Sequence, residues 1–270
     1  MRAVDIDAYF ERVGFAAAAS HDLATLEALH RLHPMAIPFE NLSTLLREPI
    51  PLDTPALLAK LVARRRGGYC FEHNQLFADV LRTLGFEVTT LAARVVWGRI
   101  GQSLGPRTHM VLRVRVGADD YLSDVGFGGL TLTGPLRFEL NIEQSTPHET
   151  FRFVHRDGEL ELEALVRGEW RPLYRFDLQE QLPIDFEVLN HFVATHPSSH
   201  FLTTLVAARR TPDGRYALKN RELAVYRGAS KEERTIGSAA EIGRVLAETF
   251  GIELPRGPAL DALLGSIAAQ

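Results

Sequence analysis

The sequence has very little cysteine: Cys70 is the only one among 270 residues. A single cysteine cannot form an internal disulfide, a cysteine-rich zinc site or an iron–sulfur cluster. Its remaining uses are packing as a small hydrophobic side chain and chemistry as a thiolate. The residues around Cys70 therefore decide how the sequence is interpreted.

Strong net charge and long apolar runs are also missing. The formal net charge is −4, which gives no indication of a nucleic-acid-binding or basic membrane-binding surface. No apolar run approaches the length of a membrane span. Residues 1–7 turn acidic without an apolar stretch, so we expect no signal peptide and a cytoplasmic protein, where a lone thiol stays reduced. We expect no metal, nucleic-acid or membrane partner.

The residues after Cys70 predict a helix that begins close to it. Their apolar positions recur one, four, five and eight apart, and Gly85 follows as a C-terminal cap. The free N–H groups and the positive dipole end of such a helix stabilise a thiolate. The stripe consists of Leu76, Phe77, Val80, Leu81 and Leu84.

A second helix is predicted immediately before this one. Asp53 is its N-cap and Pro55 lies in its first turn, while an arginine cluster at 64–66 favours its C-terminal end. Gly67 and Gly68 then permit positive φ and close approach of another backbone or a ligand. Cys70 would thus lie in a helix–glycine turn–helix joint.

A base for the thiol is predicted at His109, the first residue of an alternating strand over 109–116. A turn over 117–120 leads to a returning strand over 121–125. If residues 116 and 121 pair, His109 and Asp124 share one face of the hairpin. That register leaves them several residues apart, so a bulge or twist is expected to close the gap.

Two interpretations stay open from these residues alone. Cys70 is either a packed side chain or a nucleophile. Asp124 either caps a turn at the strand end, helped by Gly126, or accepts a hydrogen bond from His109 and fixes its tautomer.

The fold class follows from the change in periodicity along the chain. Helical patterns run from Asp5 to about Gly85, strand patterns from Phe86 to about Asn190, and a mixed tail ends in a helical stripe around 242–250. Asp157-Gly158 predicts a hairpin turn within the strand region. Helices followed by a run of strands indicate an α+β fold.

Three segments resemble the signatures of the arylamine N-acetyltransferases. They are Arg-Gly-Gly-Tyr-Cys-Phe-Glu at 66–72, Thr108-His109, and Asp-Val-Gly-Phe-Gly-Gly at 124–129. Segments 7–15, 37–42 and 190–201 are similar to further stretches of the same family, in the same order. The resemblance covers roughly the first 200 residues and is weakest beyond about Arg210.

The resemblance implies a triad of Cys70, His109 and Asp124 and a ping-pong transfer through a cysteine thioester. Acetyl-coenzyme A would be the donor, and arylamines, arylhydrazines or arylhydroxylamines the acceptors. It also implies an N-terminal helical domain (1–85), a central β-barrel (86–200) and a C-terminal α/β lid (201–270), with a core like that of cysteine proteases and transglutaminases. The oligomeric state stays open, homo-oligomers included.

Binding residues follow from the same resemblance. The segment that borders the donor, together with a polar contact at the mouth, comprises Thr108, Gly126, Phe127, Gly128 and Gly129. The acceptor pocket is expected to comprise Phe39, Phe71, Trp97, Phe127, His200 and Phe201.

Three other functions remain compatible with these residues. A Cys-His-Asp set also suits transglutaminase-like, amidase or protease chemistry, in which an amide supplies the acyl group. A binding protein without turnover is a second alternative, against which the intact triad argues. The third is an amide synthase of the same family.

Overall fold

The computed structural model describes residues 4–99, 103–228 and 230–270. Met1, Arg2 and Ala3, which belong to the segment used for the signal-peptide expectation, lie outside the described residues. The first part of the chain is mainly helical. Its elements are α1 (Ile6–Val13), α2 (Leu23–Ala36), β1 (Phe39–Glu40), α3 (Leu42–Leu45), α4 (Thr54–Leu57), a π-helical continuation of α4 (Leu58–Ala63), and α5 (Cys70–Thr83).

The expected helical joint is present. The Asp53 side chain accepts a hydrogen bond from Ala56 N and caps α4, as its place before Thr54-Pro55 predicts. Helix α5 ends at Thr83, and Gly85 follows with a positive φ of 93°. Both boundaries of the predicted Cys70 helix are therefore confirmed.

The middle of the chain forms an eight-stranded antiparallel sheet in the order β5-β4-β3-β2-β9-β8-β7-β6. The Gln144 side chain bonds both the N–H and the carbonyl of Arg137, which ties the two edge strands together and nearly closes a barrel. The strands are β2 (Glu87–Val95), β3 (His109–Val116), β4 (Asp119–Ser123), β5 (Leu136–Arg137), β6 (Gln144–Ser145), β7 (Thr150–Arg156), β8 (Glu159–Val166) and β9 (Glu169–Glu180).

The turn between β3 and β4 is tighter than predicted. Val116 lies opposite Asp119, so the turn contains only Gly117 and Ala118. Continued along β3, this register brings His109 within one diagonal step of Asp124. The shared face is confirmed. The predicted register is wrong, and the expected bulge or twist is not needed, because the shorter turn itself closes the gap.

The last part of the chain contains a second sheet and several helices. The strand pattern expected up to Asn190 is wrong there: α6 begins at Pro183, and the Asp185 side chain accepts from Leu182 N in its first turn. The remaining elements are α6 (Pro183–Thr195), a 3₁₀ turn (His200–Leu202), β10 (Val206–Thr211), β11 (Gly214–Lys219), β12 (Glu222–Arg227), β13 (Ser230–Thr235), α7 (Ala239–Arg244), a π-helical turn (Val245–Thr249) and α8 (Pro258–Ala268).

Three buried apolar clusters accompany these elements. One joins the first helices to one face of β2 and β3, one fills the barrel, and one lies between the second sheet and α7 and α8. The predicted α+β class with a helical N-terminus and a barrel is thus confirmed. Strand β1 pairs with β10, so the first part of the chain adds a strand to the second sheet. We keep the division near residues 85 and 200 as a proposal.

None of the helices in the described ranges combines the length and apolar character that a membrane crossing requires.

Candidate active site

Cys70 is the first residue of α5. The preceding residue, Tyr69, has an extended backbone, and its N–H donates to Glu72 Oε2 at 3.1 Å, which caps the helix. The Cys70 side chain is 5% exposed, and its Sγ lies 3.6 Å from the Thr108 carbonyl oxygen. The N-terminus of α5 thus directs its free N–H groups and dipole toward the thiol region.

The two glycines before Cys70 serve close packing. A Cβ on Gly67 would lie 2.1 Å from the Pro38 carbonyl oxygen, and one on Gly68 would lie 2.6 Å from Glu72 Oε2. Positive φ, the other use expected of them, occurs at neither residue. Their role is to let the chain pass tightly between Pro38 and the capping carboxylate.

His109 and Asp124 form a buried pair beside Cys70. His109 Nε2 lies 2.7 Å from Asp124 Oδ2, which leaves Nδ1 of the ring for Cys70. Burial alone would lower the pKa of His109, but the Asp124 carboxylate, aided by Cys70, raises it to about 10. The imidazole can therefore carry a proton opposite a thiolate.

The Asp124 carboxylate is held on every side. Its Oδ1 accepts from Asn74 Nδ2 at 2.9 Å and from Gly126 N at 3.0 Å. The backbone N–H of Asp124 donates to His30 Nε2 at 3.1 Å. Burial opposes ionisation of Asp124, but the charge and hydrogen bond of His109 hold its pKa below the ordinary value. A carboxylate fixed in this way can orient the imidazole and stabilise its cation.

Asn74 connects the nucleophile helix to the aspartate. It lies one turn after Cys70 on α5, and its amide donates to Met110 O at 2.7 Å as well as to Asp124. Its Oδ1 accepts from Val125 N at 3.0 Å. This single buried side chain thus ties α5 both to β3, which carries His109, and to the segment after β4, which carries Asp124.

Cys70 and His109 open onto a cavity of about 790 Å³. It contains all the predicted donor-binding residues and most of the predicted acceptor residues. They are Phe39, Trp97, Thr108, Gly126, Phe127, Gly128, Gly129, His200 and Phe201. The Phe127 ring meets His109 edge to face, with centroids 5.2 Å apart. A flat apolar ring fits such walls.

The charged groups of the cavity are basic. Arg99 and Arg215 line it, and no aspartate or glutamate is among the described residues that do. The Arg215 guanidinium stacks 3.9 Å over the Tyr226 ring, which also lines the cavity. In a chain of net charge −4, this cavity is selectively suited to an anionic ligand.

Known proteins match the chain over nearly its whole length. A family model described as N-acetyltransferase covers residues 22–258. The arylamine N-acetyltransferase of Mycolicibacterium smegmatis is 48% identical over 256 residues, 93% of each protein. The chain belongs to the arylamine N-acetyltransferase family. It is an acyltransferase.

Solved structures of this family have the same fold. The M. smegmatis arylamine N-acetyltransferase superposes with a TM-score of 0.96 at 46% identity, covering 99% of this chain and 100% of that one. The Mycobacterium marinum arylamine N-acetyltransferase in complex with CoA superposes with a TM-score of 0.93 at 40% identity, covering 97% and 99%.

One residue predicted for the acceptor pocket of this N-acetyltransferase lies elsewhere. Phe71 is fully buried in the core, where its ring packs against Tyr69 and Phe186, with centroids 5.7 and 6.0 Å away. Successive residues of a helix point about 100° apart, so a Cys70 that faces the cavity turns Phe71 away from it. The assignment of Phe71 to the pocket is wrong.

Several residues of the N-acetyltransferase site were not predicted from the sequence. Asn74 lies four residues after Cys70, a spacing that places both on one helix face and could have singled it out. Arg215 and Tyr226 face each other across β11 and β12. His30 accepts a hydrogen bond from Asp124 N, although it lies 94 positions earlier in the sequence. Only the folded chain shows these last contacts.

Proposed function

We propose that the chain transfers an acetyl group from acetyl-coenzyme A to the nitrogen of an aromatic amine or hydrazine, through a thioester on Cys70. One observation carries the proposal: Cys70 and His109 line one aromatic and basic cavity, and behind it the His109 ring lies 2.7 Å from the buried Asp124 carboxylate. In this proposal Cys70 is the nucleophile, His109 the base and Asp124 its orienting carboxylate.

The first half-reaction loads the enzyme. The Cys70 thiolate attacks the thioester carbonyl of acetyl-coenzyme A, a C–S bond forms to Cys70, and the C–S bond to coenzyme A breaks. The His109 imidazolium supplies the proton that the departing coenzyme A thiolate takes up. Its raised pKa of about 10 supports this role, because the ring is protonated at neutral pH before the donor binds.

The second half-reaction discharges the enzyme. After proton loss to coenzyme A, neutral His109 accepts the N–H proton of the attacking amine, the amide bond forms and the C–S bond to Cys70 breaks. Asp124 keeps the imidazole in one orientation through both steps, because Asn74, Gly126 and His30 all hold it. Both substrates use the same thiol in turn, so the kinetics are ping-pong.

The donor and acceptor are recognised by different parts of the cavity wall. We assign Thr108 and the segment 126–129 to donor binding. The basic side chains of Arg99 and Arg215 attract the phosphates of the donor. The acceptor ring packs among Phe39, Trp97, Phe127 and Phe201, with His200 as a polar contact. We place the reaction in the cytoplasm, because a thiol nucleophile must stay reduced.

Mass spectrometry of the acetyl-enzyme tests the proposal. Incubation with acetyl-coenzyme A alone should add one acetyl group to the peptide that contains Cys70, and an arylamine should then remove it as the N-acetyl product. Cys70→Ala should lose both steps, and double-reciprocal plots should be parallel. Intersecting plots with no acetyl-Cys70 would contradict the proposal. An amidase-like enzyme would ignore this donor, and a binding protein would never load.

A further inference from the structure

Three side chains that take no part in the reaction form a buried hydrogen-bonded chain beneath the site. Tyr9 Oη lies 2.9 Å from His33 Nδ1, and His33 Nε2 lies 2.9 Å from His73 Nδ1. His73 Nε2 lies 3.1 Å from the Gly68 carbonyl oxygen and 3.2 Å from that of Pro38. The three side chains come from α1, α2 and α5, and none is more than 1% exposed.

The direction of every bond in this chain is fixed. A carbonyl oxygen only accepts, so His73 Nε2 carries a hydrogen. Burial lowers the pKa of His73 to about 4 and that of His33 well below its ordinary value, so both rings are neutral. His73 Nδ1 therefore accepts from His33 Nε2–H, and His33 Nδ1 accepts from the Tyr9 hydroxyl. The chain donates in one direction, from α1 to the Gly68 carbonyl.

The chain ends on the turn that carries the nucleophile. Gly68 is two residues before Cys70, and His73 is three residues after it, so one ring connects both sides of the turn. The Gly68 carbonyl also accepts from Glu40 N at 2.7 Å, within a parallel bridge between Phe39 and Gly68. Two donors thus hold the segment that leads into Cys70.

Helix α2 holds the other end of the triad as well. His30 lies one turn before His33 on α2, and its Nε2 accepts from Asp124 N at 3.1 Å. The two histidines connect one helix to the backbone at Asp124 and, through His73, to the backbone at Gly68. The separation of nucleophile and carboxylate is therefore set from α2.

We infer that Tyr9, His33 and His73 are positioning residues for acetyl transfer, which hold the Gly68 carbonyl and thereby keep Cys70 within reach of His109. The inference rests on the proposed role of Cys70 as nucleophile. It predicts that damage to the chain slows attack by Cys70 without weakening donor binding, since none of the three side chains lines the cavity described above.

A pair of substitutions at His73 tests this inference. The amide of His73→Gln can still donate to the Gly68 carbonyl, whereas His73→Leu fills similar space without a donor. The rate constant of Cys70 acylation, measured from the p-nitrophenol burst with p-nitrophenyl acetate, should fall by about tenfold to a hundredfold in His73→Leu. It should return to within about threefold of wild type in His73→Gln. The Kd of coenzyme A, which measures binding at the donor site without acylation, should stay unchanged in both.

Tyr9→Phe gives an independent test that keeps the aromatic ring. It removes the first donor of the chain and should lower the acylation rate constant by about threefold to tenfold. Tyr216→Phe, which makes the same change in the C-terminal part of the chain, should leave the constant unaltered. If His73→Leu does not fold, the acylation rate constant of Tyr9→Phe decides whether the inference holds.

Equal acylation constants per titrated active site in wild type, His73→Leu and Tyr9→Phe would overturn the inference. A lower melting temperature alone would then show that the chain only stabilises the fold. Failure of the proposed function is distinguishable, because wild type itself would then give no p-nitrophenol burst and no acetyl-Cys70.

Discussion

Cys70 lies between two surroundings of opposite chemistry. On the protein side, the buried polar groups of Asn74, Asp124 and the neighbouring histidines are joined by hydrogen bonds of 2.7 to 3.2 Å. On the cavity side, the wall consists mainly of aromatic rings, glycines and two arginines. The protein side holds the catalytic groups, and the cavity side receives the substrates.

The difference indicates which side tolerates change. A buried donor or acceptor that loses its partner costs about 1–3 kcal/mol, so residues of the protein side depend on one another. A ring in the cavity wall borders open space and can change shape without leaving a buried polar group unpaired. We therefore expect the reaction to depend on the protein side and the substrate range on the cavity side. Four predictions test this division.

The largest effect is expected for Asp124→Asn on the protein side. An amide cannot balance the imidazolium charge of His109, and it presents a donor where the carboxylate accepted. We expect kcat to fall by about 10³-fold to 10⁴-fold and iodoacetamide labelling of Cys70 to slow at neutral pH. Circular dichroism must first show a folded variant, because Asp124 also holds the Gly126 turn. A folded variant with unchanged labelling would remove Asp124 from the site.

Much of this protein side could be predicted from local sequence. The start of α5 at Cys70 follows from apolar spacing, and the shared face of His109 and Asp124 follows from strand parity, which an error of two residues in the register leaves unchanged. Signature residues of the family singled out the same three side chains.

The remaining contacts depend on tertiary packing. A histidine on the apolar face of a helix has the same local pattern whether it packs or accepts a hydrogen bond, so His30 and His33 gave no signal. Helix α6 was mistaken for strand because its apolar residues, exposed at Ile184 and Val188, show no clear helical stripe. Phe71 was misplaced because proximity in sequence to Cys70 does not give side-chain direction.

The second prediction compares two glycines of one loop. A Cβ on Gly126 would lie 2.9 Å from Cys70 Cα, whereas a Cβ on Gly129 meets nothing within 4 Å. Gly126→Ala should force the loop away from α5 and lower kcat by about a hundredfold, with a loss of about 2 kcal/mol in the free energy of unfolding. Gly129→Ala should change only the KM for acetyl-coenzyme A. Equal effects of the two variants on acylation by p-nitrophenyl acetate would contradict the division.

The third prediction concerns acid. Burial lowers the pKa of His30 and of His73 to about 4 in the folded chain, whereas an unfolded histidine titrates near pH 6.5. The unfolded state therefore binds more protons between these values, and stability falls as the pH falls. Each histidine should remove about 2 kcal/mol from the free energy of unfolding between pH 7 and pH 5.

Urea unfolding at pH 7 and pH 5 measures this loss. His73→Gln should reduce the difference between the two pH values by about 2 kcal/mol, whereas His155→Gln, at an exposed position of β7, should not change it. An identical pH dependence in wild type and His73→Gln would refute the prediction. His109 acts in the opposite sense, because its folded pKa is raised to about 10. Its contribution to the free energy of unfolding is fully present below pH 6.5 and is lost as the pH rises through 10.

The smallest effect is expected for a charge on the cavity side. Arg215 donates to Glu149 Oε1 at 2.6 Å, and Glu149 also binds Arg210, so one carboxylate is shared by two arginines and a positive charge is left facing the cavity. Arg215→Gln should raise the KM for acetyl-coenzyme A by about tenfold, equivalent to about 1.4 kcal/mol. Acylation by p-nitrophenyl acetate, which has no phosphate, should be unaltered.

Arg227→Gln is the matched control, because Arg227 lies on β12 and pairs with Asp213 at the surface. It removes the same charge from the same sheet and should leave the KM for acetyl-coenzyme A and the acylation by p-nitrophenyl acetate unchanged. Added salt should reduce the difference between wild type and Arg215→Gln if the guanidinium acts on the phosphates by charge. A loss of activity shared equally by both donors would instead show that the Arg215–Glu149 pair supports the protein side, and the two surroundings of Cys70 would not be separable at this residue.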